Sequence, residues 1–228
     1  MNPIIELDTA GTVLDTVALG LLGLGLLGVL VKRLEMAIAF LAVQGILLGV
    51  ASGVAALAEM QWRAWAAFAV AAFVKAVAIP ALLWFMLGRV TIHHEVETVV
   101  PVKLAFPIGV ALAALAFWVL RPLATAEAIG AHGFDAPNAL PAALALLLLG
   151  LFTMATRKGA LTQVIGLVTM ENGIYLGGVV ATGGLPIVVE IGIAMDVLTG
   201  AALLALVAHE INRLTSGTNI DRLRSLRG

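Results

Sequence analysis

The sequence predicts an all-α integral membrane protein of about seven transmembrane helices, on three observations. The chain is 61% hydrophobic and 12% charged, where a soluble domain is about 45–50% apolar and about 25% charged. Its apolar residues fall in long runs, and a helix needs about 20 of them to cross a bilayer. Lys and Arg also collect in alternate loops, as the positive-inside rule requires of a multi-span chain. A β-barrel would show alternating polarity, and these runs show none.

The spans fall at about 12–31, 34–58, 64–87, 103–120, 138–156, 159–181 and 185–209. Each is read as a helix, because backbone groups in lipid must satisfy one another. Breakers separate them: Lys32-Arg33, the patch Glu59 to Arg63, Gly88 to Pro101, Arg121 to Pro137, Arg157-Lys158, and Thr182-Gly183-Gly184. The N-terminus carries Glu6 and Asp8 and no basic residue, so the first run is read as a retained span, not a cleavable signal. One side of the membrane collects Lys32, Arg33, Arg89, Lys103, Arg157, Lys158, Arg213, Arg222, Arg224 and Arg227. The other receives Arg63 and Arg121. This places the N-terminus outside and the basic tail in the cytoplasm.

Two halves are expected: residues 1–130 with four helices, and 131–228 with three helices and the tail. Gln44-Gly45-Ile46-Leu47-Leu48-Gly49 resembles Asn172-Gly173-Ile174-Tyr175-Leu176-Gly177, each following a basic pair. Ala81-Leu82-Leu83 likewise resembles Ala202-Leu203-Leu204, a register seven residues shorter on which Lys75 falls on Asp196. Spans 1–3 and 5–7 would then be a parallel repeat linked by the fourth; convergent apolar composition is the competing explanation. The series Gly45, Gly49, Gly53 and the pair Gly173, Gly177 read as packing faces.

Polar chemistry concentrates in four ionisable residues within spans: Lys75, Glu171, Glu190 and Asp196. A charge at the centre of a spanning helix costs roughly 2.5–3.5 kcal/mol on insertion scales, so it faces a partner or a water-filled cavity. Glu190 lies six residues before Asp196, about 9 Å along the axis and turned to another side. Asn172, Thr169 and Thr199 add polar stations suited to ordered water. Acids near mid-membrane with a Lys in reach suit a proton relay. The bland alternative is a polar clasp in which Glu171 or Asp196 pairs with Lys75 to lock helices together. Asp15 and Glu35 lie nearer helix ends and are expected to be solvated, and His209 is expected to cap the last helix. With no Cys, disulfides and thiolate-held clusters are excluded in this chain. Four His, two of them adjacent (His93, His94), show no metal-ligand spacing, and no basic aromatic surface points to nucleic acid.

The segment from Ala139 to Gly228 resembles the three-helix K subunit of bacterial respiratory complex I and the C subunit of multisubunit cation/proton antiporters. The resemblance rests on Arg157-Lys158, Ile165-Gly166-Leu167, Asn172, Asp196 ahead of Gly200 to Leu204, and the tail Asn219 to Gly228. Over nearly its full length the chain is similar to the E component of hydrogenase-4-type complexes, through Met170 to Ile174, Leu185 to Asp196 and the tail. Asp196 falls where the K subunit has its third-helix glutamate. The second-helix glutamate of that family falls on Val168 here, and Glu171 comes about 4.5 Å later along the helix. The resemblance implies a proton-translocating membrane-arm subunit in a bacterial or archaeal cytoplasmic membrane, beside antiporter-like subunits and a peripheral redox module. It implies no cofactor in this chain, with [NiFe] and iron–sulfur centres in partners. An antiporter subunit and a structural spacer are the alternatives. A quinone-binding helper finds no specific aromatic or His pocket in the sequence.

Overall fold

A computed structural model of the chain describes residues 7–59, 62–89, 98–122 and 134–182, together with 192, 196, 199 and 200. Its helices are α1 (Leu7–Leu30), α2 (Leu34–Glu59), α3 (Trp62–Phe73), α4 (Ile79–Arg89), α5 (Val102–Leu120), α6 (Ala139–Thr156) and α7 (Ala160–Thr182). A π-helical turn, Val74–Ala78, joins α3 to α4, so these three form one continuous span. Among the described residues, six helical spans are long and apolar enough to cross a membrane. They coincide with the first six predicted runs to within a few residues, and the chain is a membrane protein. The seventh run lies mostly outside the described residues, although Gly192, Asp196, Thr199 and Gly200 are helical. The junction at 130, Glu190, His93, His94, His209 and the basic tail also lie outside them.

Helix α6 is the hub. It buries Ala142, Ala143, Ala145, Leu146 and Leu149 against α1, α5 and α7. Between apolar helices in lipid, association relies on close van der Waals contact and small residues. At Gly150 a Cβ would sit 2.5 Å from the Met170 amide nitrogen, and at Gly173 2.5 Å from the Ala143 carbonyl oxygen. Only glycine allows α6 and α7 to lie this close. Helix α5 is peripheral and buries only Ala105, Gly109, Ala113 and Ala116, a stripe with helical spacing. A second apolar cluster joins α2 and α4 to α7 through Ile38, Leu41, Leu83, Met86, Ile165 and Val168. The outward faces carry Leu19, Leu27, Val110, Leu115 and Leu151, as lipid contact demands. Trp62 and Trp118 project near span ends, where aromatic side chains favour the membrane interface.

One expectation is corrected, and one residue gains a further role. Asp15 is not simply solvated: its carboxylate accepts from the Asn138 backbone N–H at 2.9 Å and from Asn138 Nδ2 at 2.8 Å. It thus anchors the turn before α6, whose first amides have no partner within their own helix. Arg157 is more than a topological charge. Its guanidinium is buried and donates to the carbonyls of Gly28, Val29 and Val31 at 2.9–3.1 Å. It closes the C-terminal end of α1, where carbonyls lack helical partners and a cation is favoured. Burial pushes this guanidinium below its usual pKa. Glu35 pairs with Arg33 at 3.2 Å on the surface, close to the expected environment.

Candidate functional site

The candidate site begins with a break in helical regularity. Pro80 has no N–H for the carbonyl four residues earlier, and its ring crowds that carbonyl, which belongs to Ala76. The π turn directly before it, closed by the Ile79 N–H on the Val74 carbonyl, accommodates the mismatch. Gly45 of α2 lies against this turn, where a Cβ would overlap the Lys75 carbonyl and lie 2.6 Å from the Ala76 nitrogen. The Gly45–Gly49–Gly53 series therefore packs on the third span, as its spacing predicts. Lys75 is held inward on the π turn and is 4% exposed.

Lys75 Nζ donates to Asp196 Oδ1 at 2.6 Å and to Asn172 Oδ1 at 3.4 Å. Asn172 Nδ2 in turn donates to Gln44 Oε1 at 2.9 Å. Four polar side chains from α2, the π turn, α7 and the last helical segment thus form one buried chain. The Lys75 ammonium also lies 5.3 Å from the Tyr175 ring centroid, within cation–π range. Beside this network, the Thr199 hydroxyl donates to Glu171 Oε1. Glu171, Asn172, Asp196 and Thr199 are each at most 4% exposed.

Helical periodicity explains the convergence. Gly192, Asp196 and Thr199 stand at i, i+4 and i+7, one stripe of a helix. Gly192 fits against Tyr175, whose ring would lie 2.6 Å from a Cβ there. On α7, Glu171 and Tyr175 share a face, while Thr169 and Asn172 share the adjoining one. Thr169 spends its hydroxyl proton on the Ile165 carbonyl at 2.9 Å. Among the described residues, Glu171 Oε2 and Asp196 Oδ2 are buried without a hydrogen-bond partner, and the Tyr175 hydroxyl lies beside the Ser52 side chain. Two carboxyls and one ammonium therefore share a buried interior, and each carboxyl keeps one oxygen without a partner among the described residues.

Lys75, Glu171, Asn172, Asp196 and Thr199 come together as a site, and Thr169 lies on its edge. Glu190 lies outside the described residues. Val168 is packed among Ile38, Leu41 and Ile165, with no polar role. Sequence reasoning missed Gln44 and Tyr175 as participants; the available signal was the alignment of Gln44 with Asn172. No group of three or more His, Cys, Asp or Glu suited to a metal occurs among the described residues. A separate opening of about 490 Å³ lies between α2 and α3, lined by Ile46, Gly49, Trp65, Phe68 and Ala72. Its walls are apolar and offer no His or acid to orient a polar ligand.

No protein-family profile matches the chain, and no solved structure matches it. Hydrogenase-4 component E of Escherichia coli K12 is 34% identical over 90 residues, covering 40% of this chain and 42% of that protein. The Shigella flexneri protein of the same description matches equally. The alignment thus spans less than half the length of component E. The uncharacterized protein Rv0085 of Mycobacterium tuberculosis is 30% identical over 154 residues, covering 67% of this chain and 68% of the relative. The chain belongs to the same family as this mycobacterial protein.

Proposed function

We propose that this chain is a membrane-arm subunit of a hydrogenase-4-like, complex I-related assembly, and that its buried polar cluster passes protons. The observation that carries the reading is the Lys75–Asp196 contact of 2.6 Å, set beside the Glu171–Thr199 pair inside apolar spans. Ionisable side chains at this depth are costly and concentrate where ions or protons move. Partial likeness to hydrogenase-4 component E supports a place beside other membrane subunits and a peripheral redox module. On this reading redox centres, [NiFe] and iron–sulfur among them, reside in partners, and the N-terminus faces outward from a cytoplasmic membrane.

The chemistry requires only changes of partner. Lys75 moves between Asp196 and Asn172, and a carboxyl that loses the ammonium takes up a proton. Glu171 holds the next proton station through Thr199, in place of the family glutamate that falls on Val168. Glu190 would extend the path toward a neighbouring subunit. An internal repeat would give this arrangement a rationale. Gln44 aligns with Asn172 and Lys75 with Asp196, and each aligned pair is in direct contact. Residues related by a two-fold axis meet each other only near that axis, so the cluster would sit between two like units.

The decisive experiment is Asp196→Asn in the assembled complex. Loss of proton translocation with redox activity and assembly retained is the expected result; unchanged translocation rejects the relay. If the cluster is a structural clasp, Lys75→Met with Glu171→Gln should leave transport intact wherever the complex assembles.

A further inference from the structure

A small cavity lies between α1, α2, α6 and α7, on the side of the polar cluster that faces Arg157. Its volume is about 20 Å³, and Gly28, Phe40, Gln44, Thr153, Ile165 and Thr169 line it. About 10–15 Å³ with two to four polar partners is enough for one buried water. The Thr153 and Thr169 hydroxyls donate to the Leu149 and Ile165 carbonyls at 2.8 and 2.9 Å. Their oxygens therefore remain available as acceptors. Gln44 brings an amide already joined to Asn172, and through it to Lys75.

Arg157 does not line the cavity but holds two residues that do. Gly28 and Thr153 both line it, and both are held by Arg157, which donates to the Gly28 carbonyl through Nη2 and to the Thr153 carbonyl through its backbone N–H. Thr153 is three residues from the end of α6, whereas Thr169 lies nine residues into α7, roughly 13 Å deep. The lining therefore draws on the last turns of α6 and on a position nine residues into α7. At Gly28 an added Cβ would meet nothing within 4 Å, so a side chain there fills space without displacing a neighbour.

We infer that this cavity is a water-bearing station of an inlet from the membrane face carrying Arg157 and Lys158, its lining held by Arg157 on that side and joined through Gln44 to Asn172 and Lys75. Its use for protons rests on the function proposed above; its hydration does not, and is measured separately. Glycine at position 28 and the two threonines are then the residues that keep the inlet open and wet.

The absence of cysteine makes the test clean. Thr153→Cys, Thr169→Cys and, as a lipid-facing control, Leu151→Cys are placed singly in the full chain in sealed vesicles of known orientation. Silver ion is added from one face at a time, and unreacted thiol is counted by maleimide labelling after denaturation. A thiol in apolar surroundings has a raised pKa, and each unit lowers its thiolate fraction about tenfold. Both threonine positions should therefore react at least about tenfold faster than Leu151→Cys, from the Arg157 face only. Gly28→Leu should slow Thr169→Cys about tenfold, and Gly28→Ala should slow it less. Reaction at Thr153→Cys alone, equal rates with the control, access from the opposite face, or indifference to both Gly28 variants overturns the inlet. If Gly28→Leu does not fold, Gly28→Ala and the comparison with Leu151→Cys decide. Unchanged pumping by Asp196→Asn with fast silver access would reject the relay and keep the inlet.

Discussion

Lys75 and Asp196 illustrate why a buried ion pair is judged by what happens when one half is removed. Both side chains are at most 3% exposed, and their contact is 2.6 Å. Removing one partner of such a pair leaves an uncompensated charge and costs about 3–5 kcal/mol, whereas an apolar pair of similar volume is often tolerated. Lys75→Met alone should therefore destabilise the purified chain in detergent more than Lys75→Met with Asp196→Leu. Thermal unfolding of the singles and the double checks it; additive losses would mean the two side chains do not interact energetically. Tyr175 separates two contributions. Its hydroxyl lies beside the Ser52 side chain, while its ring faces the ammonium. Tyr175→Phe should thus cost about 0.5–1.5 kcal/mol, and Tyr175→Ala about 3–5 kcal/mol through the lost ring.

At the scale of the helices, the π turn and its glycine act as one device. Gly45→Ala places a methyl group on the Lys75 backbone, where no flexible side chain can give way. The strain should cost about 1–3 kcal/mol and displace Lys75 from Asp196, so loss of stability and loss of transport should appear together. Gly28→Ala, with open space at its Cβ, should leave stability nearly unchanged under the same measurement. Arg157→Lys loses a planar group that reaches three carbonyls of α1. About 1.5–3 kcal/mol is expected, since bonds to charged groups are the stronger kind. The six described spans were legible because hydropathy alone decides which stretches enter lipid, and breakers mark where they end. The contacts of Asp15 and Arg157 were not legible, because each acts on a helix more than a hundred residues away. The π turn depends on Pro80 and on the closeness of α2, which residue spacing along one helix does not reveal.

For the whole molecule, the question is whether two three-helix units face each other across the polar cluster. On the register that pairs Ala81 to Leu83 with Ala202 to Leu204, Lys75 falls on Asp196, and these two side chains are in contact. The partner of Glu171 was not legible, because Thr199 and Glu171 hold aligned positions in neither copy. If the two units are equivalent, the sites at 75 and 196 have similar depth and surroundings, and the sign of charge on each is interchangeable. Asp196→Lys alone would put two ammonium groups together in low dielectric and should be severely destabilising. Adding Lys75→Asp restores an opposite pair with the ammonium on the other helix. The swapped double should therefore recover most of the stability lost in Asp196→Lys, measured by thermal unfolding of the full chain in detergent. Asymmetric surroundings give the opposite outcome. Tyr175 and Asn172 would then favour the ammonium only on the π turn, and the double would remain as unstable as the single. Transport need not return with stability, because Asn172 would then face a carboxylate where it now accepts from an ammonium.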